Sequence, residues 1–206
     1  MTGTHSASGS RRLQRDLARR DPDADILTRL ASGQTSALGE LMDRHLAAIK
    51  SCAWHMVGDE MIAEDIAQDV FIKAWKQAPN WQAGKAKFST WLYRVTKNLC
   101  YDCLRKKTEI YPETVPDMVD DGPLANKMIE LKQTNAAQKS RVEQAMAQLP
   151  IRQRMAITLC HYRELSQAEA AEIMDIGVRA YESLLARGRK NLRVRLQSHK
   201  QELLEG

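Results

Sequence analysis

Aromatic side chains are scarce in this chain, at 5% of 206 residues with only two phenylalanines. Proline (6) and glycine (10) are sparse too, and β-branched runs are few, so the chain reads as mostly helix. The four cysteines, Cys52, Cys100, Cys103 and Cys160, have no disulfide-framework spacing. Arg11, Arg12, Arg15, Arg19 and Arg20 near the start are followed by no apolar stretch, which argues against a signal peptide. No apolar run approaches the ~18 residues of a membrane span, so no membrane insertion is expected, and a reducing cytoplasm is the simplest compartment. The five histidines lack ligand spacing, and neither a Gly-rich phosphate loop nor a Ser/His/Asp arrangement occurs. No enzyme, metal or cofactor is therefore expected.

What the chain does have is charge in blocks. The net charge is +5. Between residues 85 and 107 stand Lys85, Lys87, Arg94, Lys97, Arg105, Lys106 and Lys107 against one acid, Asp102. Between residues 177 and 200 stand Arg179, Arg187, Arg189, Lys190, Arg193, Arg195 and Lys200 against Glu182. The stretch from Thr108 to Asn126 is acidic with no basic residue. Basic, acidic, basic is a layout for holding a polyanion at two separated places.

Apolar residues at threes and fours divide the chain. Residues 1–22 read as a mobile basic tail and 23–107 as a compact four-helix domain. Its expected stripes are Ile26, Leu30, Leu38, Leu41, Met42, Leu46 and Ile49, then Met61, Ile62, Ile66, Val70, Phe71 and Ala74, then Phe88, Trp91, Leu92, Val95 and Leu99. Residues 108–139, with Pro112, Pro116 and Pro123, read as an acidic linker. Residues 140–206 are helical again. There Ser166 and Glu169 have capping-box spacing, and a short "DIG" turn precedes a long basic helix, which is a helix-turn-helix pattern. The fold class is all-α, with two small helical domains.

Three constellations stand out. In "FSTWLYRVTKN", Tyr93, Arg94, Lys97 and Asn98 fall opposite the apolar stripe, beside a loop holding Asn80, Trp81, Lys85 and Lys87. An exposed ring beside cations suits an unstacked base, since stacking is worth roughly 1–3 kcal/mol per base. The recognition helix should meet base edges with Arg179, Tyr181, Glu182, Ser183 and Arg187, and Arg189 and Lys190 continue its basic run. In "DEMIAEDIAQDVFIKAW" an outward face carries Glu64, Asp65, Gln68 and Asp69; it would repel DNA and suits a partner protein. Cys100 and Cys103 form a CxxC within a helix, a structural pair on this reading.

Taken together, "AEDIAQDVFIKAW", "FSTWLYRVTKNLCYDCLRKK" and "LPIRQRMAITLCHYRELSQAEAAEIMDIGVRAYESLLARGRKNLRVRL" resemble the bacterial sigma-70 family, in its small extracytoplasmic-function subgroup. The resemblance implies a factor that binds core RNA polymerase and recognises −35 and −10 promoter elements. Asp65, Gln68 and Asp69 would dock on the β′ clamp helices. Trp81, Tyr93, Val95 and Asn98 would form a pocket for a flipped −10 base, with Asp102 nearby and Arg94, Lys97, Arg105 and Lys106 on phosphates. The C-terminal helix would read the −35 element and lie against the β flap. The linker would follow the RNA exit path, and an anti-sigma protein would hold the factor in check in a stress response. The chain departs from the family pattern at Arg179-Ala180, at Glu182 and at Asp102. Two other readings of the residues are a stand-alone helix-turn-helix regulator and a CxxC redox or metal protein.

Overall fold

The computed structural model describes residues 21–82, 86–110, 141–161 and 165–202. Every regular element among them is helical. Helix α1 (Ala24–Ala31) buries Ile26, Leu27 and Leu30 and stops before Gly33, whose φ of 88° ends the helical path. Helix α2 (Ser36–Val57) buries Ala37, Leu41, His45, Ile49, Cys52, Ala53 and Met56, a three-and-four rhythm along one face. Gly58, in the left-handed region at φ 70°, closes it by donating to the Trp54 carbonyl at 2.8 Å.

Helix α3 (Glu60–Gln77) starts at Asp59, whose Oδ1 accepts the Ile62 N–H at 3.1 Å. Its buried stripe is Ala63, Ile66, Ala67, Val70, Phe71 and Ala74. Met61, expected in that stripe, is 78% exposed because a position two residues before Ala63 falls on the opposite side of the helix. A 3₁₀ turn (Ala78–Asn80) containing Pro79 then leads to helix α4 (Phe88–Ile110). Helix α4 buries Phe88, Leu92, Thr96, Cys100 and Leu104 at intervals of four, while Trp91, Val95 and Leu99 flank that line half-buried.

The C-terminal unit comprises α5 (Arg141–Ala147), α6 (Ile151–His161), α7 (Gln167–Ile173) and α8 (Val178–Glu202). Helix α6 is buried nearly all round, including Gln153, Arg154 and Thr158, because α2, α7 and α8 pack around it. The two units pack directly, α2 against α5 and α6, and α4 against α7. No helix among the described residues is long and apolar enough to cross a membrane.

Two expectations change at the edges. Asp21, placed in the tail, is 6% exposed and belongs to the fold. Thr108 to Ile110, placed in the linker, continue α4. The rest of the tail (1–20) and nearly all of the linker (111–139) lie outside the described residues.

Candidate nucleic-acid interface

Helix α4 has no Ser, Thr, Asp or Asn just before its first turn; Lys87 stands there. The missing cap comes from the far end of the unit. Asp21 Oδ2 accepts the Phe88 N–H at 2.7 Å, and its Oδ1 accepts the Asp23 N–H at 3.1 Å. Burial raises the Asp21 carboxyl, outweighing those two donors. Asp23, almost fully buried, accepts from Arg44 Nη1 at 2.6 Å and meets His45 Nε2 at 2.8 Å. Burial opposes its charge, yet the His45 and Arg44 contacts prevail and hold its carboxyl below the ordinary range.

The capped end of α4 supports three rings. Trp81 meets Phe88 edge-on at 4.9 Å between centroids, and Phe88 stacks on Trp91 at 5.2 Å. Trp81 lies edge-on to Trp91 at 6.4 Å. Beside them opens a cavity of about 250 Å³ lined by Asn80, Trp81, Gln82, Trp91, Arg94 and Glu172 among others. That is smaller than the roughly 300–1,000 Å³ of clefts that enclose drug-sized ligands, and it suits one small flat group. Indole faces, the side-chain amides of Gln77, Asn80 and Gln82 and a guanidinium are what a single nucleobase would need for stacking and edge hydrogen bonds.

Of the residues expected at this pocket, Trp81 and Arg94 reach it. Trp81 is half-buried against the core rather than freely exposed, because Phe88 and Trp91 take its edges. Tyr93 was expected on the open face; it is 5% exposed and belongs to the core. Lys97, also expected there, is 6% exposed because its ammonium is held 2.7 Å from Asp175 Oδ2. Val95 is half-buried, and Asn98 and Asp102 are exposed further along α4. Asp102 pairs with Arg105 at 3.0 Å, and Lys106 is exposed beside them. The sequence reading missed Trp91, Gln82 and Thr90 as lining residues; Trp91 was assigned to the core, where it sits only halfway.

In the C-terminal unit the capping box forms as the spacing implies. Ser166 Oγ accepts the Glu169 N–H at 3.2 Å, and Glu169 Oε2 accepts the Ser166 N–H at 2.7 Å. Helix α7 ends in a Schellman turn, with the Ile176 N–H on the Ala171 carbonyl and the Asp175 N–H on that of Glu172. The left-handed residue of this turn is Asp175 at φ 55°, not Gly177. On α8, Arg179, Glu182, Ser183, Arg187 and Lys190 are exposed at three-and-four spacing and share one outward face. Arg189 flanks it and donates to Cys160 Sγ at 3.0 Å.

Tyr181 departs from its expected role as a base reader. It is 1% exposed, in line with buried Leu184 and Leu185, and its hydroxyl donates to the Ala156 carbonyl at 3.0 Å. Burial pushes its phenol up to about 12. Gly188 continues this buried line. A Cβ there would stand 3.2 Å from Ile157 Cδ1 and 3.3 Å from the Gln153 backbone oxygen, so glycine lets α8 lie close on α6.

On α3 the side chains of Asp65, Gln68 and Asp69 are exposed, and Ile72 (47%) and Trp75 (51%) stand one turn further on. Carboxylates next to uncovered large apolar groups make a face suited to another protein.

The comparisons with known proteins now bear on this arrangement. Residues 41–110 match the model for sigma-70 region 2, and residues 139–192 match that for sigma-70 region 4. The ECF RNA polymerase sigma factor SigW of Bacillus subtilis is 31% identical over 182 residues, covering 82% of this chain and 94% of that protein. The chain belongs to the extracytoplasmic-function group of the sigma-70 family. SigE of Mycolicibacterium smegmatis, another such factor, is 29% identical over 84% of this chain and 67% of its own. Among solved structures, CnrH in complex with the cytosolic domain of CnrY aligns with a TM-score of 0.62 at 24% identity, over 85% of this chain and 97% of that one. RpoE from Bartonella quintana, solved with the anti-sigma factor NepR, gives 0.58 at 23% identity over 77% and 96%. These two share the all-helical fold of this sigma factor.

Within this sigma factor the three rings and α3 fall in the region 2 match, Glu172 at the cavity's side falls in the region 4 match, and the outward face of α8 falls largely in the region 4 match. Burial raises the Cys100 thiol well above its ordinary value and raises Cys103 as well, which disfavours a free thiolate at either position.

Proposed function

We propose that this sigma factor divides promoter recognition between its two units in the cytoplasm. Region 2 docks on the β′ clamp helices of core RNA polymerase through Asp65, Gln68 and Asp69, with Ile72 and Trp75 supplying apolar area. The cavity beside Trp81 and Trp91 receives one base extruded from the −10 element, and Arg94 closes over its edge. Lys97, Arg105 and Lys106 meet phosphates, with Asn98 and Asp102 facing the neighbouring bases. Region 4 reads the −35 duplex through Arg179, Glu182, Ser183 and Arg187, with Arg189 and Lys190 on the backbone. It also leans on the β flap. The factor performs no chemistry itself; binding energy opens the strands and the polymerase makes RNA. CnrH and RpoE were solved with partner proteins, RpoE's an anti-sigma factor. An anti-sigma partner and a stress-responsive regulon are proposed for this chain as well.

One observation carries this reading: a base-sized cavity walled by two indoles and a guanidinium, at the capped end of the helix that also bears the basic run. Extruding a base costs a few kcal/mol, and a stack worth roughly 1–3 kcal/mol offsets much of it. The test is transcription in vitro with added core polymerase, scored separately for binding and strand opening. Trp81→Ala is expected to cut opening about tenfold or more while core affinity holds. Asp65→Lys with Asp69→Lys is expected to weaken core affinity instead. Equal loss of both steps in the Trp81 variant would count against the pocket.

A further inference from the structure

Helix α8 carries one acid in the wrong place for a surface that only holds phosphates. Between Gly177 and Lys200 the chain has seven cations and a single carboxylate, Glu182. An acid on such a helix is least costly on the side turned away from the polyanion. Glu182 is not there. It is exposed on the same outward arc as Arg179, Ser183, Arg187 and Lys190. The opposite side is taken by the buried line of Tyr181, Leu184, Leu185 and Gly188.

Internal pairing does not account for this placement. The acids before α8 are engaged: Glu169 with Lys87, Glu172 with Arg94, and Asp175 with Lys97. Among the described residues Glu182 forms no salt bridge. Its neighbours one helical turn away are Val178, Arg179, Leu185 and Ala186, so Arg179 is the one charge within reach along the helix.

A carboxylate is an acceptor only, so phosphates repel it and a duplex can satisfy it only with a donor. In the major groove the base donors are the amino groups of cytosine and adenine. Adenine sets its N7 acceptor beside N6, where it would face the second carboxylate oxygen. Guanine and thymine offer acceptors and, for thymine, a methyl group. Cytosine alone presents a donor with no acceptor on its own edge. We infer that Glu182 determines specificity at one base pair of the −35 element, where its carboxylate accepts from the N4 amino group of a cytosine. Any other base there sets acceptor lone pairs or a methyl group against the carboxylate, so selection works by repulsion as well as attraction. That α8 meets DNA rests on the functional reading above; which base it selects does not follow from that reading.

The experiment uses the full chain bound to core polymerase. Start sites are mapped by transcription in vitro from a genomic library. The upstream element that the starts share is then built into duplexes carrying each of the four base pairs at each position, and relative affinities are measured by competition. The wild type is expected to prefer C·G at one position by about tenfold. In Glu182→Ala that preference should fall below about twofold, while the preferences at other positions hold. Glu182→Gln should move it toward A·T, because an amide both accepts and donates and so matches N6 and N7 of adenine. Asp25→Asn, at an exposed site on α1, changes net charge equally and should leave every preference as in the wild type. If Glu182→Ala keeps the wild-type preference at every position, or if the position it governs selects a base other than cytosine, the inference is overturned. An equal change in affinity for all duplexes would assign Glu182 to general repulsion and overturn it too. Absence of any defined start with the wild type would overturn the functional reading and this inference with it, a result distinct from a shared element whose preferences ignore Glu182.

Discussion

Asp21 and Asp23 are two residues apart and both buried, yet their carboxyls move in opposite directions. At Asp21 burial prevails over two backbone donors and raises the carboxyl. At Asp23 burial yields to His45 and Arg44, and the carboxyl is lowered. A lowered carboxyl contributes its full stability above its unfolded value of about 3.9 and loses it as pH falls through the folded value; a raised one does the reverse. Asp23→Asn is therefore expected to cost about 1–3 kcal/mol near neutrality. Its gap from wild type should close as the pH drops below about 4. Urea denaturation across a pH series checks this, and a gap that stays constant into acid would contradict it. At this scale Tyr181 was legible in principle. Its spacing to Leu184, Leu185 and Gly188 marks a buried line, and that periodicity outranks its position near the helix start.

Elements differ in how much of their control is local. Helix α3 carries its own cap at Asp59 and its own apolar stripe, so its start and its outward acidic face can be read from residues within a few turns. Helix α7 likewise announces itself through Ser166 and Glu169. The start of α4 cannot be read that way, because its cap, Asp21, lies 67 residues upstream. Only the packed fold joins them. In Asp21→Asn the side chain keeps one acceptor oxygen but turns an N–H donor toward the other backbone N–H. A loss of about 0.5–2 kcal/mol is expected. Hydrogen exchange should localise it: faster exchange of the Phe88 amide, with the α2 amides near wild type after correction for global stability. Uniform acceleration along both helices would show that Asp21 acts on the whole unit and not as a cap.

The whole molecule turns on one buried guanidinium. Arg154 donates to the Met56 carbonyl of region 2 and to the carbonyls of Ala147 and Leu149 within region 4. Burial pulls it down to about 10, which leaves it charged at neutral pH. Neither this staple nor the Asp175–Lys97 pair has any sequence signature, since each joins residues some eighty to a hundred positions apart. The four helices of the first unit and the outward acids of α3 are local patterns and were readable, whereas the short helix α5 was not singled out. A buried charge with three carbonyl partners couples the units, because separating them leaves it facing water with part of its shell lost. All four tryptophans, Trp54, Trp75, Trp81 and Trp91, lie in the N-terminal unit, so loss of their fluorescence signal follows chiefly the unfolding of that unit, although Trp81 and Trp91 also sense its contact with Glu172, whereas circular dichroism reports both units. In the wild type the two signals are expected to trace one transition in urea, the mark of a single cooperative unit. Arg154→Ala should split them, with the dichroism falling first as region 4 loses its anchor and the fluorescence following at higher denaturant. If the signals still coincide in Arg154→Ala while overall stability drops, the guanidinium serves the core of region 4 and does not couple the units.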